Sequence, residues 1–258
     1  MLIDRVTFTG ADESVTPEQL AAVQKDCPRI EWGILLSKRG EGAAPRFPGP
    51  KWLDNLAASE VQLPMLSGHL CGRWVRDLLI GSFTYRAERA DHFRLWKRIQ
   101  LNFAASSLEP VEQFWWELAA CHDRTTFIFQ VNGTSDYLYY SPASDEESDD
   151  EMGEGWGGGA MARGLNAVPL FDHSGGKGIV PRQWIPIPHA EVLTGYAGGL
   201  GPDNLADELK RIHDAVGDST IWIDLETKVR SDDDKVFDLN KVRRCYDIAR
   251  PYLRPQEE

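Results

Sequence analysis

The sequence predicts an α/β fold, a single (β/α)8 barrel, on three observations. Its 258 residues suit one such barrel. Eight short β-rich runs alternate with helical stretches, the pattern of parallel strands joined by right-handed crossovers. No GxGxxG follows the first run, so the main cue for an open dinucleotide-binding sheet is missing.

The strand runs are residues 5–9 (RVTFT), 30–36 (IEWGILL), 64–70 (PMLSGHL), 98–103 (RIQLNF), 126–131 (TFIFQV), 167–171 (AVPLF), 192–197 (VLTGYA) and 220–225 (TIWIDL). Helical character fills 17–25, 50–58, 72–81, 86–97, 111–121, 204–216 and 239–252. Residues 39–50 are rich in Gly and Pro and read as a long loop after the second strand. Residues 141–164, after the fifth strand, join a carboxylate run to a glycine run and read as an acidic, flexible, solvated loop within the one domain of residues 1–258.

Composition narrows the function. Apolar residues at 42 % and charged residues at 26 % are globular proportions. The net charge of −12 argues against a surface that tracks a nucleic-acid backbone, which needs an excess of Lys and Arg. Cys27, Cys71, Cys121 and Cys245 form no CxxC pair, so free thiols in a reducing compartment are expected. With no apolar stretch of membrane-spanning length, the expectation is a cytoplasmic protein with no membrane partner. Nothing in the sequence specifies a metal or organic cofactor, and the oligomeric state is not legible.

In such a barrel the chemistry lies where strands end and loops begin. After the seventh strand, 197–204 reads AGGLGPDN: Gly198 and Gly199 let backbone N–H groups approach an anion, and Pro202 with Asp203 suits the start of a helix. The sixth run ends in Asp172, followed by His173-Ser174-Gly175-Gly176-Lys177. The third run places His69 and Cys71 on one face, a candidate base and thiol. Gln100, Asn102 and Gln130 either orient ligand hydroxyls or bond one another inside the barrel; Glu31 is either catalytic or half of a barrel-bottom salt bridge. Trp184 reads as packing.

AGGLGPDN resembles the AGGLxPxNV signature after the seventh strand of the phosphoribosylanthranilate isomerase family. LFDHSGGKG at 170–178 is similar to that family's LLDS or LLDT stretch and its GG loop. IDLETKVRSDDDKVFDLNKV at 223–242 resembles its VDVSSGVE region and the KD segment beyond. These ordered matches span 168–252, about a third of the chain. The resemblance implies a phosphate held by Gly175, Gly176, Gly198, Gly199 and the helix entered at Asn204, with Asp172 as general acid in an Amadori rearrangement. It also supports the position of His69, since the family's third strand ends in a similar QLHG.

The chain departs from the family in two places. The family's first-strand cysteine base aligns with Thr9, whose hydroxyl is too weakly acidic to serve unassisted. The small Ser-Ser-Gly of the eighth strand is Glu226-Thr227-Lys228, where Lys228 would supply charge to a phosphate and Glu226 would repel it; Arg230 stands where the family has Glu. The leading expectation is an isomerase-type enzyme acting on a phosphorylated sugar or sugar-amine conjugate by proton transfer, with Asp172, His69 and Cys71 as catalytic candidates. The alternative from another class is a non-catalytic protein that binds a nucleotide or sugar phosphate on the same barrel.

Overall fold

Strand β1 (Leu2–Thr9) starts a chain in which each strand runs parallel to the one before it. α1 (Pro17–Asp26) follows through a capping box: the Thr16 hydroxyl accepts from the Gln19 amide while the Gln19 side chain accepts from Thr16 N–H. Next come β2 (Ile30–Ser37), α2 (Pro50–Ala58), β3 (Leu66–Cys71) and α3 (Arg73–Leu79), then two short helices, α4 (Tyr85–Glu88) and α5 (Ala90–Phe93). The chain continues through β4 (Arg98–Leu101), α6 (Glu112–Ala119), β5 (Thr126–Val131), α7 (Tyr137–Tyr140), β6 (Ala167–Phe171) and β7 (Thr194–Ala197). It closes with α8 (Leu205–Val216), β8 (Thr220–Leu225), the 3-10 turn Thr227–Val229 and α9 (Leu239–Ala249). The computed structural model describes residues 1–59, 63–103, 108–121, 124–133, 135–140, 159–172, 174, 177–189 and 191–255.

β8 pairs with β1 through Thr7 opposite Asp224, which closes the eight strands into a barrel in sequence order. The expected fold class is therefore found, with strand ends shifted by a few residues. Two connections differ from the sequence reading. Residues 86–97, expected as one helix, are broken: α4 ends at Glu88, and Arg89 leaves helical geometry before α5 begins. Between β6 and β7 the described residues contain no helix; an irregular segment there buries Trp184, whose Nε1 donates to Glu208 on α8 at 2.9 Å. The expected acidic loop lies outside the described residues from 141 to 158. Among the described residues no helix is long and apolar enough to cross a membrane.

Alternation sorts each strand into an outward face and an inward one. Outward residues such as Phe8, Trp32, Ile34, Ile99 and Phe127 pack under the helices in the main core. The barrel interior holds a smaller apolar cluster of Ile128, Leu170, Ala197 and Trp222. Trp222 is fully buried, and its indole occupies the place of a side chain on β7: a Cβ on Gly195 would lie 2.3 Å from the ring. The Arg98 guanidinium stacks on the same indole at 3.9 Å. Arg98 also pairs with Glu31 at 3.4 Å, and Thr7 Oγ1 donates to Glu31 at 2.9 Å. Glu31 is thus held in a buried salt bridge near the N-terminal ends of the strands, one of its two expected roles.

Gly195→Val would drive two methyl groups into the Trp222 ring. Overpacking of this kind costs about 1–3 kcal/mol, so urea or thermal unfolding of the variant should show that loss, and wild-type stability would contradict this packing.

Candidate active site

The C-terminal ends of the strands open into a cavity of about 510 Å³, its solvent-facing mouth included, with Asp172, Asp224 and Glu226 on its wall. Strand geometry explains the grouping. Asp224 and Glu226 lie two residues apart at the end of β8 and share the inward face, while Asp172 follows the last residue of β6. Gln100, Asn102 and Gln130 line the same cavity from β4 and β5, and Ser174, Gly178, Gly198, Gly199 and Leu200 line it from the loops.

The three carboxyl groups have different partners. Asp172 accepts from Gln130 Nε2 at 2.8 Å, from the Ser174 amide at 3.0 Å and from the Ser174 hydroxyl at 2.6 Å, the inventory of an acceptor-only carboxylate. Asp224 accepts from the Thr9 hydroxyl at 2.7 Å. Burial holds the Asp224 carboxyl well above the usual aspartate range, the Thr9 hydrogen bond opposes the shift, and the like charges of Glu226, Glu31 and Asp172 add to it. Glu226 is also raised by burial, against the pull of Arg46, whose guanidinium lies 2.7 Å away.

Arg46 comes from the long loop after β2, in a left-handed conformation with φ of 75°. It also binds Asp234 at 2.9 Å, and its amide donates to Asp12. Arg230, fully buried, bonds Asp12 and Asp234 at 2.7 Å each and donates to the Gly10 carbonyl. This network ties the loops after β1, β2 and β8 together around Glu226.

The candidate base and thiol, His69 and Cys71, are not among the residues that line this cavity. His69 is buried deeper in the barrel; its Nε2 lies 3.0 Å from Ser67 Oγ and close to the space above Gly33 that Thr9 also fills. Burial and the nearby Arg98 push His69 down to about 3, so it is neutral and weakly basic. Cys71 Sγ donates to the His69 carbonyl, and burial with the Glu226 charge pushes the thiol up to about 12. Neither side chain reaches the cavity wall.

The expected anion-binding residues divide between two places. Gly198 and Gly199 have φ of 126° and 61° and line the cavity. Their lack of side chains first serves the chain itself: a Cβ on Gly199 would lie 2.6 Å from the Gly178 carbonyl. Among the described residues, no acceptor is recorded for the amide N–H of Gly199 or Leu200. Asn204 braces this turn, accepting from Gly201 N–H and donating to the Gly199 carbonyl, both at 2.9 Å, so its amide is spent on the loop. Lys228 lies with Asn204 in an adjacent cleft, its stem over Gly201. Gly175 and Gly176 lie outside the described residues.

Asp224 and Arg46 escaped the sequence reading. The alternation of IDLE at the end of the last strand was the available signal for Asp224, since it places Asp224 and Glu226 on one face. Arg46 carried no such signal, because a loop residue 180 positions from Glu226 reaches it only through the fold.

A scan against models of known protein families finds no match, and neither does a search of curated proteins. Among solved structures, the chain is similar to a monomeric form of the dimeric phosphoribosylanthranilate isomerase of Thermotoga maritima, at 15 % identity and a TM-score of 0.50. The match covers 96 % of this chain and 98 % of that one. At this identity the likeness concerns the fold: the chain is a barrel of that shape.

The raised Asp224 has a stability consequence with a definite sign. Between the ordinary aspartate value of about 4 and its higher folded value, the folded state binds the extra proton, so stability falls as pH rises through that window. In Asp224→Asn this loss should vanish. The melting temperature of the variant should gain on wild type as pH rises from about 4 to neutrality, and a pH-independent difference would contradict the assignment.

Proposed function

We propose that the barrel mouth is an acid–base site for isomerising a phosphorylated sugar or sugar-amine conjugate, with Asp224 as proton donor and Asp172 as proton acceptor. The observation that carries this reading is the sharing of one cavity by a carboxyl raised by burial and a carboxylate held by three donors. A carboxyl raised by burial beside one that accepts several hydrogen bonds fits opposite proton-transfer roles. The resemblance to the phosphoribosylanthranilate isomerase family implies the acid role for Asp172; the hydrogen bonding favours the reverse assignment.

Charge at the mouth supports an anionic substrate better than the count of carboxylates implies. Burial raises the Asp224 carboxyl and favours its neutral form, and Arg46 offsets the charge of Glu226. Asp172 would also steady the positive charge of an iminium formed when a sugar-amine ring opens. The phosphate would go to the Gly199 and Leu200 N–H groups after β7, the strand next to the one that ends before Asp172. Gln100 Oε1 and Gln130 Oε1, both buried without a hydrogen-bond partner, would take ligand hydroxyl or amine donors.

In the reaction, Asp224 gives its proton to the ring oxygen as the C1–O bond breaks, leaving an open-chain iminium. Asp172 takes the C2 proton, whose electron pair forms the C1–C2 double bond of the enolamine. Ketonisation of that enol, with Asp172 returning its proton to C1 and the C2 hydroxyl proton passing to Asp224, yields the 1-amino-ketose and restores both carboxyl groups.

The test is turnover of an N-aryl aldosylamine 5-phosphate, followed by NMR. Asp224→Asn and Asp172→Asn should each lower kcat by about 10²–10⁴-fold, with inorganic phosphate still bound. Phosphate binding with no turnover of aldosylamine or aldose phosphates would give the site to the non-catalytic binding reading; loss of both would overturn the proposal.

A further inference from the structure

The opposite end of the barrel carries a feature that the mouth does not explain. Where β4 and β5 begin, a cleft of about 1490 Å³ is lined by Arg86, Arg94, Lys97 and Arg124 together with Phe93 and Trp96. Its described lining contains no carboxylate, in a chain whose net charge is −12. Glu117 acts electrostatically on Arg86 from the adjoining pocket, and the other cations are poorly matched by acids among the described residues. Arg94 has only an exposed contact to Asp91 at 3.9 Å, and Arg86 donates to Cys121 Sγ at 3.0 Å and stacks on Phe93 at 5.0 Å. No ion pair or hydrogen bond is recorded for the side chains of Lys97 and Arg124 among the described residues.

Arg86, Phe93 and Cys121 also form part of a second, apolar pocket of about 260 Å³ that reaches inward to the barrel wall. Its floor is Ile99 and Phe127, register partners on the outward faces of β4 and β5, and its sides include Leu78, Phe83 and Leu118. The broken connection supplies one side of it: α4 and α5 are four residues each, and Arg86 and Phe93 from them meet Leu78 of α3 and Leu118 of α6 there. Glu117 also lines this pocket, and its Oε2 is buried with no hydrogen-bond partner among the described residues.

We infer that this end of the barrel is a second ligand site, for a small amphipathic anion: an aromatic or aliphatic body in the apolar pocket, and a carboxylate, sulfonate or phosphate among Arg86, Arg94, Lys97 and Arg124. A hydroxyl or amine between the two parts would satisfy Glu117. Burying the body supplies the hydrophobic share of binding, and the four cations supply a salt-sensitive share. The site stands independently of the function assigned to the mouth, since it shares no residue with that cavity.

The probe is 8-anilinonaphthalene-1-sulfonate, which has an aromatic body, an N–H and an acidic head, titrated into the folded full-length protein by fluorescence. One equivalent should bind, and the affinity should fall as salt is added. Lys97→Glu combined with Arg124→Glu, both exposed positions, should weaken binding at least tenfold, whereas Lys51→Glu on α2 should leave it unchanged. Sodium sulfate should compete at least tenfold less well than the dye. No binding, or equal affinity in the charge-reversed protein, would overturn the site, and competition by sulfate as strong as the dye's own would remove the apolar half of the proposal. Circular dichroism of the double variant separates loss of the site from loss of the fold.

Discussion

The indole of Trp222, laid across the barrel interior against Gly195 and stacked on the Arg98 guanidinium, is the contact on which the candidate site depends. It belongs to the apolar cluster that fills the interior with Ile128, Leu170 and Ala197. Below it, the charges of Arg98 and Glu31 are paired in the dark; above it, Asp224 is cut off from water on the side that faces the core. A carboxyl in that position meets a large desolvation cost on ionising, and the charges of Glu226, Glu31 and Asp172 add to the upward shift. The chemistry proposed for the mouth is thus a consequence of how the interior is packed.

The loops above the strands complete the arrangement by distributing charge. Arg46 and Arg230 sit among Asp12, Asp234 and Glu226 and draw the loops after β1, β2 and β8 into one network. Such a partly buried network adds little stability by count of ion pairs, but it fixes where Glu226 points and how much of its charge a ligand meets. The Thr9 hydroxyl, just before that network at the end of β1, donates to Asp224.

Much of the fold was legible because alternation and turn residues act locally. The bounds read for 126–131, 167–171 and 220–225 are those of β5, β6 and β8, and the proline at the start of α2 marks its first turn. The helix expected over 86–97 misleads because its apolar spacing is helical while Arg89 turns the chain. The candidate site was legible only in part. Asp172 and the Gly198-Gly199 turn could be placed from strand ends alone, and both line the cavity. His69 and Cys71 share a face as alternation requires, but periodicity does not report which inward residues line the cavity, and neither of these does. Arg46 and the Thr9–Asp224 bond join segments far apart in sequence, so only the closed barrel reveals them.

The central claim is that one carboxyl at the mouth, Asp224, keeps its proton at neutral pH. A ¹³C NMR titration of protein labelled at the aspartate carboxyl carbons measures this directly. One resonance, missing from the spectrum of Asp224→Asn, should titrate well above the ordinary aspartate value of about 4. If every aspartate carbon in the wild-type protein titrates near or below that value, the site holds no stored proton and the account fails.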